Sequence, residues 1–491
     1  MTNKINIDQF LKEENLEKLD KLLIDELQLT RAPALSIGVV YENQVILTRN
    51  YGAINIEKNI PATSNSLYMI ASVTKSFTSL GILKLVEKGK ISLDDKLKDY
   101  LPIKIGFEED PIRIKHLLTH TSGIPNMFDP LFEVNMEDIY GVNNEIPKIP
   151  WSTWDDIYRV LNDAEEFITE KPGKRFYYNN LAYELLGKII EIVSNTSFST
   201  FIKKEILNPL KMKTSGFFEQ DITDNLNLAT PYIIKPGSNP PKLIPIDYPE
   251  KKFISAAGGL FSSVNEMTNY MIMHLNEGNF NEKQIIAPEL LKQMHSIQFE
   301  DKYPNILAKA AFGEYGRTGY GYGLAVHEDF YGHKLVQHSG SYMGASAWMA
   351  LLPEEKIGVI FLSNHHPSPR SLAQAVLLQI MGLEPKKHHP QLVLRYHHNK
   401  LTGMYSAYRG LEKVQVISKN GSLFLKPLSI GTEIPIFPKN DGTPYYKQLN
   451  YYTFTEIGGK LPVQFTIDKN NQIWLHFERL KLKKLSENNC N

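Results

Sequence analysis

The sequence predicts an α/β fold in which an antiparallel sheet is flanked by helices and accompanied by a helical lobe, followed by a small all-β barrel. Three observations predict it. Strand-like hairpins occur near residue 40 and again near residue 355, and helical periodicity lies between them. Beyond about residue 400, short strand-like runs follow one another without a helical pattern. Distant hairpins with helices between them imply one sheet built from both ends of that region.

The first predicted elements are a helix and a hairpin. Residues 9–29 have the pattern of one leading helix. Ile37–Tyr41 and Val45–Thr48 are strand-like, and Glu42-Asn43 supplies the turn between them.

A second hairpin lies far downstream. Ser346–Leu351 and Ile357–Leu362 are strand-like, and Pro353–Lys356 forms the predicted turn. Residues 370–382 then have a helical pattern, which completes the first domain, residues 1–384.

Composition changes around residue 385, where two histidine pairs flank a short apolar patch. We interpret residues 385–399 as a linker and 400–491 as an all-β domain. Asn420-Gly421 is a strong signal for a two-residue turn, and Asn470-Asn471 indicates a similar one. About ninety residues of short strands predict a small antiparallel barrel or sandwich.

The tetrad Ser72-Val73-Thr74-Lys75 is the one Ser-x-x-Lys in the sequence, and it precedes an amphipathic stretch that ends at Gly89. A serine in the first turn of a helix and a lysine three residues later lie on one face. The pattern thus places a nucleophile beside its base at the positive end of a helix, where N–H groups can hold an oxyanion. Lys75 can take the proton only when neutral, so burial or nearby positive charge must lower its pKa from the usual value near 10.4.

Two further motifs follow in order. Pro172-Gly173-x-x-Phe176 fixes the register of Tyr178-x-Asn180, and His338-Ser339-Gly340 comes much later. Together with Ser-x-x-Lys they resemble the three-part signature of penicillin-recognising serine hydrolases. The branch is that of class C beta-lactamases, DD-peptidases, D-aminopeptidases and related esterases. The resemblance runs from about residue 23 to about residue 382, and residues 401–405 resemble the opening strand of the lipocalin-like barrel of some relatives.

The resemblance implies roles for the site residues. Ser72 is the nucleophile, Lys75 the activating base, and Tyr178 the acid/base partner of the leaving group, although the sequence leaves open whether Lys75 or Tyr178 takes the proton. Asn180 would donate to the substrate amide carbonyl, and the Ser341 N–H would join that of Ser72 in an oxyanion hole.

The third motif departs from the Lys-Thr-Gly of beta-lactamases. A histidine side chain ordinarily titrates near 6.5 and is largely neutral at pH 7, whereas lysine would be a permanent cation near the substrate carboxylate. This favours a peptidase, aminopeptidase or esterase over a dedicated beta-lactamase. Gly340 allows close approach of the backbone to substrate.

Other residues in suggestive patterns are interpreted as structural. His116 and His120 have helical zinc spacing, but Leu117 stands where the glutamate of HExxH would be, so we expect core or helix-start histidines. Ser263, with Glu266 three residues on, is expected to cap a helix rather than to be a second nucleophile. Arg317-Thr318-Gly319 mimics the third motif, and Arg317 is a weaker candidate for binding a substrate carboxylate.

Three histidine pairs are further candidates for metal ligands. Without cysteines or clustered carboxylates near them, we expect exposed loop histidines instead. The pairs are His365-His366, His388-His389 and His397-His398.

Net charge and the N-terminal sequence argue against several kinds of partner and cellular location. Lys+Arg and Asp+Glu are equal at 54 each, which indicates neither a nucleic-acid partner nor an anionic membrane surface. The N-terminal residues lack the apolar region of a secretory signal, and the single cysteine, Cys490, has no internal partner. We therefore predict a cytoplasmic protein without a membrane span.

The sequence thus predicts a serine hydrolase without metal or cofactor that forms an acyl-enzyme on Ser72. A short peptide or amide is the favoured substrate, as for a D-aminopeptidase or DD-peptidase. The alternatives are a carboxylesterase with weak beta-lactamase activity and a penicillin-binding protein without turnover. The C-terminal domain is a candidate for forming a homo-oligomer.

Overall fold

The chain divides into two units between Ala373 and Gln374. The first contains Glu13–Ala373, and the second contains Gln374–Asn491 together with the short segment Asn6–Lys12. The computed structural model describes residues 5–125, 153–217, 222, 227–235, 238, 242–248, 255–300, 316–366, 370–419, 422–438, 451–456, 462–477 and 480–486.

The helices of the described residues are α1 Ile7–Phe10, α2 Glu13–Thr30, α3 Thr74–Glu87, α4 Ile114–Leu118, α5 Trp154–Asn162, α6 Asn180–Ser194, α7 Phe198–Ile202, α8 Ser255–Gly258, α9 Val264–Leu275, α10 Pro288–Met294, α11 Arg370–Ile380, α12 Pro385–His388 and α13 Pro390–Leu401. The single leading helix predicted over residues 9–29 is in fact two helices, because the chain turns at Leu11 and restarts at Glu13. None of the described helices combines the length and apolar composition needed to cross a membrane.

The strands of the first unit are β1 Ala34–Tyr41, β2 Gln44–Asn55, β3 Ile60–Pro61, β4 Tyr68–Met69, β5 Gly216–Phe217, β6 Tyr232–Ile234, β7 Leu243–Pro245, β8 Leu260–Ser262, β9 Asn279–Phe280, β10 Lys283–Gln284, β11 Thr318–Tyr320, β12 Ala325–Phe330, β13 His333–Tyr342, β14 Ala345–Leu352, β15 Ile357–Ser363 and β16 His365–His366. Eight of them form one sheet in the order β11-β12-β13-β14-β15-β1-β2-β3.

Both predicted hairpins are confirmed, and they meet in this sheet. β1 pairs with β2 on one side and with β15 on the other, where Leu35 lies opposite Ser363. β15 also pairs with β14. The sheet is therefore assembled from segments more than three hundred residues apart, as the two distant hairpins predicted.

Helix α3 is the centre of the helical part. The predicted helix with an apolar face toward the core is confirmed, but burial extends further than the amphipathic pattern indicated, because every residue from Thr74 to Leu83 is buried. Helices α6, α7, α8 and α10 pack around it. The polar side chains of α3 are therefore enclosed by protein, which allows them to form a buried hydrogen-bonded site.

The second unit contains a closed barrel. Its strands are β17 Gly403–Ala407, β18 Glu412–Lys419, β19 Ser422–Pro427, β20 Ile434–Pro438, β21 Tyr451–Glu456, β22 Pro462–Ile467, β23 Ile473–Phe477 and β24 Leu480–Lys484. They pair in chain order, and β17 closes the barrel by pairing with β24.

Alternate residues fill the barrel interior. Tyr405, Val414, Leu425, Phe465 and Leu475 are among the buried residues of this core. Eight strands leave an interior that side chains can fill. The predicted α/β fold with a C-terminal all-β barrel is confirmed. The Asn470-Asn471 turn is also confirmed, with Asn471 in the left-handed region, whereas the predicted Asn420-Gly421 turn lies outside the described residues.

The segment interpreted as a linker, 385–399, contains α12 and most of α13. The domain limits drawn from the sequence stay a prediction. The expectation of exposed loop histidines was wrong for four of them, because helices and strands bury their rings. These are His365, His389, His397 and His398.

Candidate active site

Ser72 lies in a short 3₁₀ turn, Ala71–Val73, that leads directly into α3. The turn is preceded by β4, and Ala71 has a φ of 45°, a left-handed conformation that costs free energy in a non-glycine residue. Ser72 is partly exposed, whereas Lys75 has no exposed surface. The hydroxyl is therefore accessible to a ligand while its neighbouring amine is enclosed.

The Lys75 amine is held by three groups. Its Nζ lies 3.1 Å from Ser72 Oγ, 2.8 Å from Asn180 Oδ1 and 2.7 Å from the carbonyl oxygen of Ala257. A carbonyl oxygen can only accept a hydrogen bond, so the Asn180 and Ala257 oxygens each require an N–H from Lys75. When the amine is neutral, these two bonds use both of its protons. Its lone pair is then directed at the Ser72 hydroxyl.

Helix α6 supplies Asn180. Asn179 caps the helix, with its Oδ1 accepting from the Ala182 N–H, and Asn180 is the first residue of the helix. The orientation of the Asn180 side chain is fixed by Lys75, which occupies Oδ1. The NH₂ group of the same amide is the part that can donate to a bound carbonyl.

Tyr178 lies beside this cluster. Lys75 Nζ is 4.9 Å from the centroid of the Tyr178 ring, within the range of a cation–π contact for an ammonium. Tyr178 is partly exposed, as Ser72 and Asn180 are. These three residues therefore combine exposure to a ligand with proximity to the buried amine.

The buried ring of His120 packs against the ring of Tyr178. The two ring centroids are 4.3 Å apart, and His120 Nδ1 accepts a hydrogen bond from the Asn179 N–H. Burial, followed by the charges of Lys75 and His338, holds the pKa of His120 well below its usual value. His120 is thus a neutral buried ring, as expected for a core histidine, but it lies directly behind a candidate catalytic residue.

His338 is buried on β13. Its Nδ1 lies 2.8 Å from the Ser339 carbonyl oxygen, and its Nε2 lies 3.0 Å from the Tyr320 hydroxyl. Because the carbonyl can only accept, Nδ1 carries a proton and donates. Burial raises the pKa of Tyr320 well above its usual value, so this phenol stays protonated.

β13 also brings Gly340 against the turn that carries Ser72. A Cβ added at Gly340 would lie 2.0 Å from the carbonyl oxygen of Ile70. A glycine is therefore needed at position 340 for packing as well as for the predicted close approach to substrate, since any side chain would push β13 away from the turn. Ser341 follows Gly340 on this strand and is partly exposed.

Glu184 and Tyr320 also belong to the site, although no sequence motif includes them. Glu184 is 3% exposed and accepts hydrogen bonds from the Ala256 and Ala257 N–H groups. A carboxylate inside the otherwise apolar run Leu181–Gly187 was the available signal, because a buried charge demands a partner. Tyr320 had no comparable signal.

The remaining candidates lie elsewhere. His116 accepts from the Arg113 N–H, and burial lowers its pKa to about 4. Ser263 caps α9 as predicted, with its Oγ accepting from the Glu266 N–H. The Glu266 carboxylate does not return the bond to Ser263; it accepts from the N–H groups of residues 214 and 215.

Arg317 is exposed and pairs with Glu300 at 2.7 Å. Within the described ranges, no group of three or more His, Cys, Asp or Glu side chains is arranged to hold a metal ion.

Two protein-family models match the chain, one over the α/β part and the other over the part that contains the barrel. A model of the Beta-lactamase family matches residues 19–380, and a model of the Pab87 octamerisation domain matches residues 385–483.

Solved structures resemble both parts. The octameric penicillin-binding protein homologue from Pyrococcus abyssi is 32% identical with a TM-score of 0.81, over 96% of this chain and 100% of that chain. The penicillin binding protein from Bacillus halodurans is 22% identical with a TM-score of 0.56, over 72% of this chain and 98% of that chain, and this likeness shows the fold alone.

Relatives known by sequence match the first part. Protein flp of Staphylococcus aureus (strain N315) is 27% identical over 365 residues, which are 72% of this chain and 64% of that protein. The chain thus matches less than two thirds of that relative's length. The family match covers most of the chain, and together with the Pyrococcus abyssi homologue it shows that this chain belongs to the beta-lactamase family.

Proposed function

We propose that the chain is a serine hydrolase that forms an acyl-enzyme on Ser72 and acts on short peptides or amides. The observation that carries the proposal is the hydrogen bonding of Lys75. The Asn180 and Ala257 oxygens, which can only accept, bind two N–H groups of its amine. The third hydrogen-bonding position of the amine faces Ser72 Oγ at 3.1 Å. A neutral Lys75 then has its lone pair where a general base needs it.

The reaction follows from these positions. Lys75 takes the Ser72 proton as Oγ attacks the substrate carbonyl carbon, and the carbonyl oxygen becomes an oxyanion. The N–H groups of Ser72 and Ser341, assigned by resemblance, would hold that oxyanion. Tyr178 would then protonate the leaving amine as the C–N bond breaks. The proton held by Lys75 would pass to the Tyr178 phenolate, so that both groups return to their starting states. Water would then lose a proton to Lys75 as it attacks the acyl carbon, and that proton would go to Ser72 Oγ as the ester bond breaks, which releases the acid.

The third motif supports amides and esters over beta-lactams. His338 is 2% exposed, and its ring nitrogens face the Ser339 carbonyl and the Tyr320 hydroxyl. A ring engaged in this way offers no exposed permanent cation to a substrate carboxylate, unlike the lysine of beta-lactamases. Recognition would therefore rest on the amide itself, with the Asn180 NH₂ donating to its carbonyl.

A substrate panel tests the proposal. The panel contains D- and L-aminoacyl nitroanilides, short-chain nitrophenyl esters and nitrocefin, with turnover followed by absorbance. Preference for the nitroanilides supports the peptidase or amidase, and preference for the esters with slow nitrocefin turnover supports a carboxylesterase. Acylation of Ser72 without release of acid would instead indicate a penicillin-binding protein without turnover.

Activity is expected to survive prolonged dialysis against EDTA. The reason is that Lys75, a side chain of the protein, activates Ser72, so no metal-bound water is needed as nucleophile. Hydrolysis rates before and after dialysis provide the measurement. Loss of activity that added zinc restores would contradict this mechanism.

We propose further that the barrel joins copies of this chain into a homo-oligomer. The connections β17–β18 and β19–β20 lie at the same end of the up-and-down barrel, and the Leu428 N–H bonds to the Lys413 carbonyl between them. Large apolar side chains are exposed there, with Leu411 at 85% and Ile430 at 70%. Exposed apolar groups of this kind favour a protein–protein contact. The similarity to an octameric homologue and to an octamerisation domain supports a second copy as the partner.

The doubly substituted variant Leu411→Glu/Ile430→Glu is expected to have a smaller assembly mass than the parent, because two charges would have to be buried at the contact. Light scattering of the full-length chain, 56.1 kDa, gives the mass. Leu29→Glu, at a residue 59% exposed on α2, is the matched control and should keep the parental mass. A parent with the mass of one chain, or a variant with an unchanged mass, would overturn this assignment.

A further inference from the structure

Glu184 lies one helical turn after Asn180 on α6, so both side chains are on the same face of that helix. Asn180 binds Lys75 directly. Glu184 binds the backbone of α8, accepting from Ala257 N–H at 2.7 Å and from Ala256 N–H at 3.2 Å. One face of α6 therefore contacts both the Lys75 amine and the backbone next to it.

Helix α8 completes a ring of hydrogen bonds. The Ala257 carbonyl oxygen accepts from Lys75 Nζ, and the Ala256 carbonyl oxygen accepts from Thr78 Oγ1 at 2.7 Å. Lys75 and Thr78 are three residues apart on α3. Ala256 and Ala257 are therefore each held at their carbonyl oxygen by α3 and at their N–H by Glu184.

We propose that Glu184 is a positioning residue for Lys75, and that its protonation state sets the pH at which Lys75 becomes a base. Glu184 holds the backbone of Ala257 by its N–H, and the carbonyl oxygen of the same residue in turn holds one N–H of Lys75. The Lys75 lone pair is then aimed at Ser72. This inference rests on the proposed function, because it takes Lys75 as the base for Ser72.

Few other charges act on Glu184. Lys75 from α3 lowers its pKa and Glu191 from α6 raises it. Helices α7 and α8 carry no ionisable side chain. Helix α4 also packs on α6 and carries Lys115, paired with Asp94, and His116, which accepts from a backbone N–H.

The direction in which Glu184 changes the proton affinity of Lys75 follows from the burial of Glu184. Burial raises the pKa of Glu184 to about 8, against the opposing effects of the Ala257 and Ala256 N–H groups and of Lys75. Near pH 7 the carboxyl is therefore mostly neutral, and a neutral neighbour does not stabilise the Lys75 ammonium. As pH rises through 8 the carboxyl ionises, and its negative charge favours the ammonium and opposes loss of the proton. The two groups titrate as a coupled pair.

The test measures the rate constant for labelling by a fluorophosphonate from pH 6 to pH 10, on the full chain. Glu184→Gln keeps an oxygen for the Ala257 N–H but cannot ionise. Its labelling is expected to rise with a midpoint about one pH unit below that of the parent and to reach a similar plateau. Glu184→Leu leaves buried N–H groups unpaired, and its rate should fall about tenfold or more at every pH.

Glu205→Gln is the matched control. Glu205 pairs with Lys88 at the surface of the same unit, so this variant should keep the parental midpoint. A Glu184→Gln curve that coincides with the parental one would overturn the inference, as would parental labelling by Glu184→Leu. If Glu184→Leu does not fold, the Gln variant decides alone. A parent that fails to label on Ser72 would overturn the proposed function, and the inference with it.

Discussion

Replacing Ser72 by alanine is expected to abolish covalent labelling by a fluorophosphonate and to abolish turnover of every substrate in the panel. The substitution removes the attacking oxygen and leaves its surroundings in place. Lys75 keeps its bonds to Asn180 and Ala257. Because only one hydrogen bond is lost at a partly exposed position, stability should change by about 1 kcal/mol or less.

Intact-protein mass spectrometry measures the adduct, and thermal unfolding measures the fold. Ser263→Ala is the matched control, since Ser263 is another serine at the start of a helix. This variant should lose about 1 kcal/mol of stability, because the hydrogen bond that caps the helix is removed, and it should keep full labelling. Hydrolysis retained by the Ser72→Ala protein would mean that another group is the nucleophile.

The link between Ser72 and Lys75 could be predicted because it depends on local geometry. Residues three apart at the start of a helix lie on one face whatever surrounds them. The pairing of the two hairpins was predictable for a similar reason. Each hairpin is defined by its own turn, and two such elements flanking a helical region have few ways to pack.

Glu184 and the burial of α3 could not be predicted in this way. Both depend on which helices meet in the folded chain, and Glu184 acquires its role only when α8, some seventy residues later, brings its N–H groups to it. The same applies to His120, whose sequence spacing suggested nothing about Tyr178, although their rings lie 4.3 Å apart. Long-range packing of this kind leaves no periodic trace in the sequence.

Lys75→Met is expected to lower the rate of acylation by about a hundredfold or more, the usual worth of a positioned base. Methionine has a similar length but no lone pair that could take the Ser72 proton. The loss should be seen with every acylating agent, because each requires a deprotonated Ser72. Lys88→Met, which removes a surface lysine paired with Glu205, should acylate at the parental rate.

Comparison with Tyr178→Phe decides which residue is the base. A fluorophosphonate or nitrophenyl ester releases an anion that needs no proton, whereas an amide must be protonated as its C–N bond breaks. If Lys75 is the base and Tyr178 the acid, Tyr178→Phe should react almost normally with the probe and the esters. Its rate should fall about a hundredfold or more on amides. Probe labelling lost in Tyr178→Phe but kept in Lys75→Met would reverse the two roles. The hydrogen bonds of Lys75 predict the first outcome, because its third hydrogen-bonding direction faces Ser72 Oγ.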